Sequence, residues 1–250
     1  MIFAEPPRTQ GDLHFPLLGI PVRIHPMFWL VTLLLGPTDQ KPIFSVFWLA
    51  AVLVSILIHE LGHAIVIRSF GYRPWIVLHG FGGLACHDPG EPSGRRPGAV
   101  GDIGISLAGP AAGFLLATVL VGVLIAAGYG SGIEFYGPLG LNVVPAVAIP
   151  RHPYMTLFLY YVFQVSVFWG LVNLLPVFPL DGGQVAQRIF VVANPRDGVR
   201  QSLILSVLTA GALAGIGAIQ WHSWYMAIFF GYMAYSSYAT LQAYSGGGRW

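Results

Sequence analysis

The chain has 250 residues, of which 55% are hydrophobic and only 9% are charged, and its mean hydropathy is +0.69. Because soluble domains carry about 25% charged residues, this composition excludes an ordinary soluble protein and indicates an integral membrane protein. The formal charge of +2 comes without an extended basic patch, which argues against a nucleic-acid partner. The single cysteine, Cys86, excludes an intramolecular disulfide.

The apolar runs predict an all-α polytopic membrane protein with about six transmembrane helices. We expect a cytoplasmic N-terminal segment over residues 1–24, a membrane domain over 25–243 and a C-terminal tail over 244–250. The first segment lacks the apolar region of a signal peptide. Six stretches have the composition of membrane spans, although the first is short. They are residues 25–36, 43–68, 102–127, 155–175, 202–220 and 223–243.

Three connecting stretches differ from the spans. Residues 73–88 are β-rich at Trp75–Leu78 and contain several glycines, which predicts a small membrane-associated β element, either a hairpin or a re-entrant segment, and not a span. Residues 89–100 form a polar loop rich in proline and glycine. Residues 129–153 are expected to be an ordered loop at the outer interface.

The basic residues indicate the orientation. With six spans, one side of the membrane receives both termini and the loops near residues 69–101 and 176–201. That side carries ten of the twelve lysines and arginines; only Lys41 and Arg151 fall on the other. By the positive-inside tendency, both termini are expected in the cytoplasm.

The second span contains the motif His59-Glu60-Leu61-Gly62-His63. Ionisable groups inside a membrane-length helix are costly, so they are functional candidates by default. Positions i and i+4 share a helix face, so the two histidines can hold one metal ion while Glu60 faces a water on it. Composition alone would produce such a motif with a frequency of roughly 0.004 per chain. The structural alternative is two histidines that form hydrogen bonds within a helix bundle. It gives no reason for the glutamate between them.

Two histidines do not complete a catalytic zinc site, which commonly has three protein ligands. Asp181 is the best third candidate, because most other acids lie in predicted loops or tails and Asp102 begins the third span. It follows Pro176 and Pro179 and precedes two glycines, which we expect to form a tight turn. A simple turn or helix-cap aspartate is the alternative for Asp181.

At these residues the chain resembles the site-2 protease family of intramembrane zinc metalloproteases, in a short form without PDZ or CBS domains. The HELGH motif and the stretch from Asn173-Leu174-Leu175-Pro176 to Leu180-Asp181-Gly182-Gly183 carry the resemblance. Ser106–Pro110, Phe81–Ala85 and Gly19–Pro26 support it.

The resemblance implies one zinc ion per chain, bound by His59, His63 and Asp181. Glu60 would be the general base, and Asn173 would lie beside the substrate backbone or the developing oxyanion. The implied substrate is a transmembrane protein within the lipid bilayer of a bacterial or archaeal cell, cleaved in regulated intramembrane proteolysis. The oligomeric state stays open.

The motif's depth suggests that substrates arrive from the lipid and must unwind locally. We expect Trp75–Leu78 to offer a strand edge with which the unwound segment can pair. Two other classes of function remain open at this point. A divalent-ion transporter would usually show several intramembrane polar sites and repeated halves. A non-catalytic scaffold with a structural zinc would not need Glu60.

Overall fold

The computed structural model describes residues 5–37, 41–91, 94–136, 142–147 and 152–246. The helices are α1 (Pro26–Leu34), α2 (Pro42–Ser69), α3 (Ala99–Ala126), α4 (Pro153–Asn173), α5 (Asp181–Ala193), α6 (Gly198–Ile219) and α7 (Trp224–Gly246). The strands are β1 (Leu13–Leu17), β2 (Ile20–Ile24), β3 (Trp75–His79), β4 (Gly82–Cys86), β5 (Gly130–Tyr136) and β6 (Asn142–Val147). The mostly helical prediction with a small sheet is therefore confirmed.

Four of the described helices, α2, α3, α4 and α6, are long and apolar enough to cross a membrane. Their apolar character supports an integral membrane protein. Helix α1 has nine residues, which span about 14 Å, less than the roughly 30 Å of a hydrocarbon core. Helix α7 is not among the four. The count of six spans therefore stays a prediction.

The N-terminal half contains a four-stranded sheet in the order β1-β2-β3-β4. The predicted hairpin at residues 73–88 is confirmed as the antiparallel pair β3–β4. Strands β1 and β2 were not predicted; they form a second hairpin, and β2 pairs in parallel with β3. The idea that Trp75–Leu78 offers an edge is therefore wrong, because β3 is paired on both sides and β4 is the edge strand.

The β1–β2 hairpin closes through a two-residue turn. Leu18 and Gly19 both adopt positive φ, 52° and 75°, as expected of the turn that matches the twist of paired strands. Arg68, in the last turn of α2, donates a hydrogen bond of 3.0 Å to the Leu18 carbonyl. The end of α2 is thereby fastened to the sheet.

The chain divides into two compact units by its contacts: Met1–Arg96 with Ala108–Leu171, and Pro97–Leu107 with Val172–Trp250. In the first, one face of the sheet packs against α1 and α2, because alternate residues of β2 and β3 point toward the helices. The buried residues of this core are Ile20, Val22, Ile24, Phe28, Val52, Ile56, Leu61, Ala64, Ile76 and Leu78.

Helix α2 is also joined to α4 in the first unit by hydroxyl groups. Ser166 donates to the Ser55 hydroxyl at 3.1 Å, and Ser55 donates to the Val162 carbonyl at 3.2 Å. Both serines are buried. Ser166 thus forms the interhelical hydrogen bond expected of a hydroxyl inside a membrane bundle.

In the second unit α6 packs against α5 and α7, and Asp102 in the first turn of α3 forms a salt bridge of 3.0 Å with Arg188. The expected place of Asp102 at a helix start is confirmed. A Cβ on Gly211 or Gly215 of α6 would meet nothing within 4 Å among the described residues, so this pair of glycines does not mark close helix packing there.

Residues 129–153 were expected to be a loop. The described part instead contains β5 and β6, which pair antiparallel as a separate two-stranded sheet with a register shift between Gly130 and Ile133. The stretch at residues 137–141 and 148–151 lies outside the described residues.

Candidate metal centre

Helix α2 places the two motif histidines one turn apart on its buried side. His59 and His63 are 3% and 7% exposed, and their Nε2 atoms lie 3.2 Å apart. Two nitrogens that bind one tetrahedral zinc at the usual bond length lie about 3.3 Å apart. The pair is therefore spaced as two ligands of a single ion.

Helix α3 comes close to α2 at this level, because small residues face each other. A Cβ on Gly62 would overlap the Ala108 carbonyl and lie 2.8 Å from the Ala112 methyl. A Cβ on Gly109 would lie 2.7 Å from His59 Nε2 and closer still to His63 Nε2. Bare backbone of α3 thus bounds the space in front of the two imidazoles.

Glu60 lies against the edge strand of the sheet. It is 4% exposed, and a Cβ on Gly83 of β4 would lie 2.6 Å from its carboxyl carbon and from Oε1. Only a glycine lets the strand approach the carboxylate this closely. Glu60 is therefore positioned by α2 on one side and by the β4 backbone on the other.

Asp181 is the first residue of α5 and is also buried. A carboxylate in the first turn is favoured by the partial positive charge of a helix N-terminus. The turn before it is held by two hydroxyls: the Phe178 amide donates to Ser206 at 3.0 Å, and Ser237 donates to the Phe178 carbonyl at 3.1 Å. The aspartate therefore begins a well-anchored helix.

The two glycines after Asp181 have a different role from the expected one. Gly182 and Gly183 belong to α5. A Cβ on Gly182 would lie 2.6 Å from the Leu175 carbonyl oxygen, and one on Gly183 would lie 2.5 Å from the Phe178 amide nitrogen. They permit close packing of the helix start against the preceding segment and are not a tight turn.

His59, His63 and Asp181 each offer one ligand atom, and all three residues are buried. Two imidazoles and one carboxylate are a donor set that catalytic zinc sites use, leaving a coordination position for water. The residues present therefore fit a zinc ion.

Asn173 is the last residue of α4 and is 7% exposed. Burial agrees with a place inside the protein rather than in a solvated loop. Its predicted part in the reaction stays a prediction.

Other polar residues of the sheet are explained without a metal. His79 accepts a hydrogen bond of 3.3 Å from the Phe81 amide, and burial lowers the pKa of His79 to about 4. Burial, followed by the nearby charges of Glu5 and Glu60, raises the pKa of the Cys86 thiol to about 11. Neither is an ionised group at neutral pH; His87 packs against the Tyr72 ring.

Sequence reasoning gave no site role to Gly83 or Gly109. The signal was present, since both lie in glycine-containing stretches, Phe81–Ala85 and Ser106–Pro110, that carry the family resemblance. What could not be seen was which atoms each glycine faces.

Comparison with known proteins gives the class that the fold and donor set indicate. Residues 47–215 match the model of peptidase family M50, and the chain belongs to this family, the site-2 protease family of membrane metalloproteases.

Two curated relatives agree with this membership. A zinc metalloprotease of Methanocaldococcus jannaschii is 29% identical over 182 residues, which cover 70% of this chain and 44% of the relative. The stage IV sporulation protein FB of Bacillus subtilis is 26% identical over 234 residues, covering 88% of this chain and 67% of that protein. The chain thus spans less than half the length of the archaeal relative.

A solved structure supports the fold. The site-2 protease from Methanocaldococcus jannaschii superposes with a TM-score of 0.57 at 22% identity, covering 91% of this chain and 94% of that one. At this identity the likeness shows the fold alone.

Proposed function

We propose that this chain is an intramembrane zinc endopeptidase that hydrolyses a peptide bond in or near a transmembrane helix of a membrane protein, as a step of regulated intramembrane proteolysis. The carrying observation is the burial of His59, Glu60 and His63 within a membrane-length helix. Ionisable groups at such a place are costly and need a functional reason.

In this proposal His59, His63 and Asp181 hold one zinc ion. When bound, the ion acidifies a coordinated water and polarises the scissile carbonyl. Glu60 takes the proton of the attacking water and delivers it to the leaving amine nitrogen. Asn173 donates a hydrogen bond to the substrate backbone or to the developing oxyanion.

The substrate segment must lose its helical hydrogen bonds before its carbonyl can be attacked. Strand β4 is an edge strand of the described sheet and carries Gly83 against Glu60. A locally unwound substrate that pairs with the β4 edge gains backbone hydrogen bonds in place of those it loses. This pairing would hold it beside the general base.

We further propose that the chain lies in a bacterial or archaeal cytoplasmic membrane, with both termini on the cytoplasmic side. The support is the distribution of basic residues, which favours the side carrying the β3–β4 hairpin and the loop before α5. A cysteine-accessibility assay on single cysteines near both termini and near residue 41 would test this.

The deciding experiment measures zinc content and cleavage of a transmembrane test substrate in detergent, for wild type and Glu60→Gln. We expect about one zinc per chain in both and cleavage lowered by about 10²–10⁴-fold in the variant. Glu91→Gln, which removes a loop carboxylate that pairs with Arg73, is the matched control and should cleave normally.

Three other outcomes would count against the proposal. Wild type without zinc would remove its chemical basis. Equal cleavage by Glu60→Gln would exclude Glu60 as the base. Zinc movement across proteoliposomes that depends on His63, with no cleavage of any test substrate, would favour a transporter.

A further inference from the structure

The gap between Gly109 of α3 and the His59 and His63 rings is too small for a methyl group. A Cβ built there lies 2.7 Å from His59 Nε2 and closer still to His63 Nε2. Gly109 is itself buried. The Cα hydrogen that a side chain would replace therefore points toward the two nitrogen atoms that would bind the ion.

A Cβ on Gly109 would lie closer to both Nε2 atoms than a carbon atom that is not bonded to them can lie. The two rings would have to move to make room for it. The two Nε2 atoms are 3.2 Å apart, which matches two ligands of one zinc ion. A methyl group on Gly109 would therefore displace the pair from this spacing.

We propose that Gly109 is a positioning residue of the metal centre: because it has no side chain, the two imidazoles can keep the spacing of zinc ligands, and any side chain there would displace the rings and lose the ion. This inference rests on the proposed zinc site and adds a fourth residue, from a different helix, to its requirements. It also assigns a function to the glycine of the Ala108-Gly109-Pro110 stretch.

The alternative is that Gly109 serves helix packing, as Gly62 does. The two glycines differ in what they face. A Cβ on Gly62 meets the backbone carbonyl of Ala108, which cannot move without shifting the helix, whereas the three atoms nearest to a Cβ on Gly109 all belong to the two imidazole rings. Rings can rotate away at modest cost. Gly109→Ala should therefore leave the fold intact and lose the metal.

The test measures zinc per chain, and the melting temperature with zinc or with chelator, for wild type and Gly109→Ala. We expect zinc to fall from about one per chain to near zero. The affinity for zinc should fall by more than about 100-fold, which is the most that losing a residue bonded to a metal ligand usually costs. The melting temperature of the variant should equal that of chelated wild type and ignore added zinc. Gly122→Ala, on the same helix with nothing within 4 Å, is the control and should bind zinc normally.

A second comparison separates the effect of Gly109→Ala on the metal site from an effect on helix packing, even if the single variant folds poorly. In a His59→Ala/His63→Ala background both clashing rings are gone, so Gly109→Ala should not lower the melting temperature. Helix propensity favours alanine, so a small rise is expected. A clear fall in that background would assign Gly109 to helix packing and overturn the proposal.

The remaining outcomes are equally decisive. Normal zinc binding by Gly109→Ala would also overturn this inference while leaving the proposed function standing. Absence of zinc from wild type would instead contradict the proposed function itself.

Discussion

Two clusters of ionisable groups in the first unit, one around the buried Arg23 and one in helix α2, differ in how their surroundings are built. In one, Arg23 of β2 donates to the carboxylates of Glu5 and Asp12 at 2.9 and 3.0 Å, and to the carbonyls of Pro6 and Pro7 at 2.8 and 3.4 Å. In the other, the motif residues of α2 face glycine positions on β4 and α3.

The difference separates a structural cluster from a chemical one. Arg23 is surrounded by acceptors that neutralise it, so nothing further has to bind there. Beside His59 and His63 lies Gly109, which has no side chain to displace the two rings from their 3.2 Å spacing. A buried charge with its own counter-charges is neutralised within the fold. Two buried imidazoles spaced as ligands of one ion are arranged to bind that ion.

The largest expected effect tests the ligand side of this comparison. His63→Ala should reduce zinc from about one per chain to near zero and abolish cleavage. Wild type with free zinc at about 100 times its Kd gains about 2.7 kcal/mol over the chelated protein; the variant should gain nothing. Melting curves with zinc and with chelator measure this.

The matched control for that experiment is His14→Ala, which removes an exposed imidazole from β1. It should keep both zinc and the chelator-dependent change in melting temperature. If His63→Ala kept the zinc-dependent change in melting temperature, the contrast between the two clusters would fail. The α2 cluster would then be as purely structural as the Arg23 cluster.

A smaller effect tests the structural side. Arg23→Met leaves Glu5 and Asp12 without their guanidinium, and we expect a loss of about 1–2 kcal/mol in the free energy of unfolding, because the Glu5 carboxylate keeps access to water. The folded fraction should keep about one zinc per chain. Denaturation curves combined with metal analysis measure both, with Arg8→Met, an exposed arginine of the same segment, as control. Loss of zinc together with stability would show that the two clusters are coupled.

Much of the α2 site could be predicted from the sequence, because the motif residues are neighbours along one helix. A helix of period 3.6 fixes that His59 and His63 share a face, and the scarcity of acids in apolar segments singled out Asp181. The β3–β4 hairpin was likewise predictable from a β-rich run interrupted by glycines.

The rest depends on contacts between distant segments. Strands β1 and β2 carry Pro16 and Pro21, which weaken the local strand signal, and β2 is completed by parallel pairing with β3 some fifty residues later. The closeness of Gly109 to the imidazoles depends on how α3 packs against α2. The periodicity of residues along one segment predicts neither of these two contacts.

The smallest expected effect concerns acid stability at the Arg23 cluster. Hydrogen bonds from the Thr9 side chain, then from Arg23, hold the pKa of Asp12 well below its usual range. Because the folded pKa is lowered, the stabilisation from ionised Asp12 is fully present above about pH 4 and is lost as the pH falls toward the folded value.

Asp12→Asn should therefore be less stable than wild type at neutral pH and lose less stability on acidification from about pH 6 to pH 3. Melting temperatures are recorded in chelator, so that loss of a metal from α2 does not contribute. Asp88→Asn, which alters a loop carboxylate bonded to Gly90, should follow the wild-type curve. If the melting temperatures of wild type and Asp12→Asn fell in parallel on acidification, Asp12 would not act as a titrating counter-charge of Arg23. The contrast with the α2 cluster would then depend only on Glu5 and the two proline carbonyls.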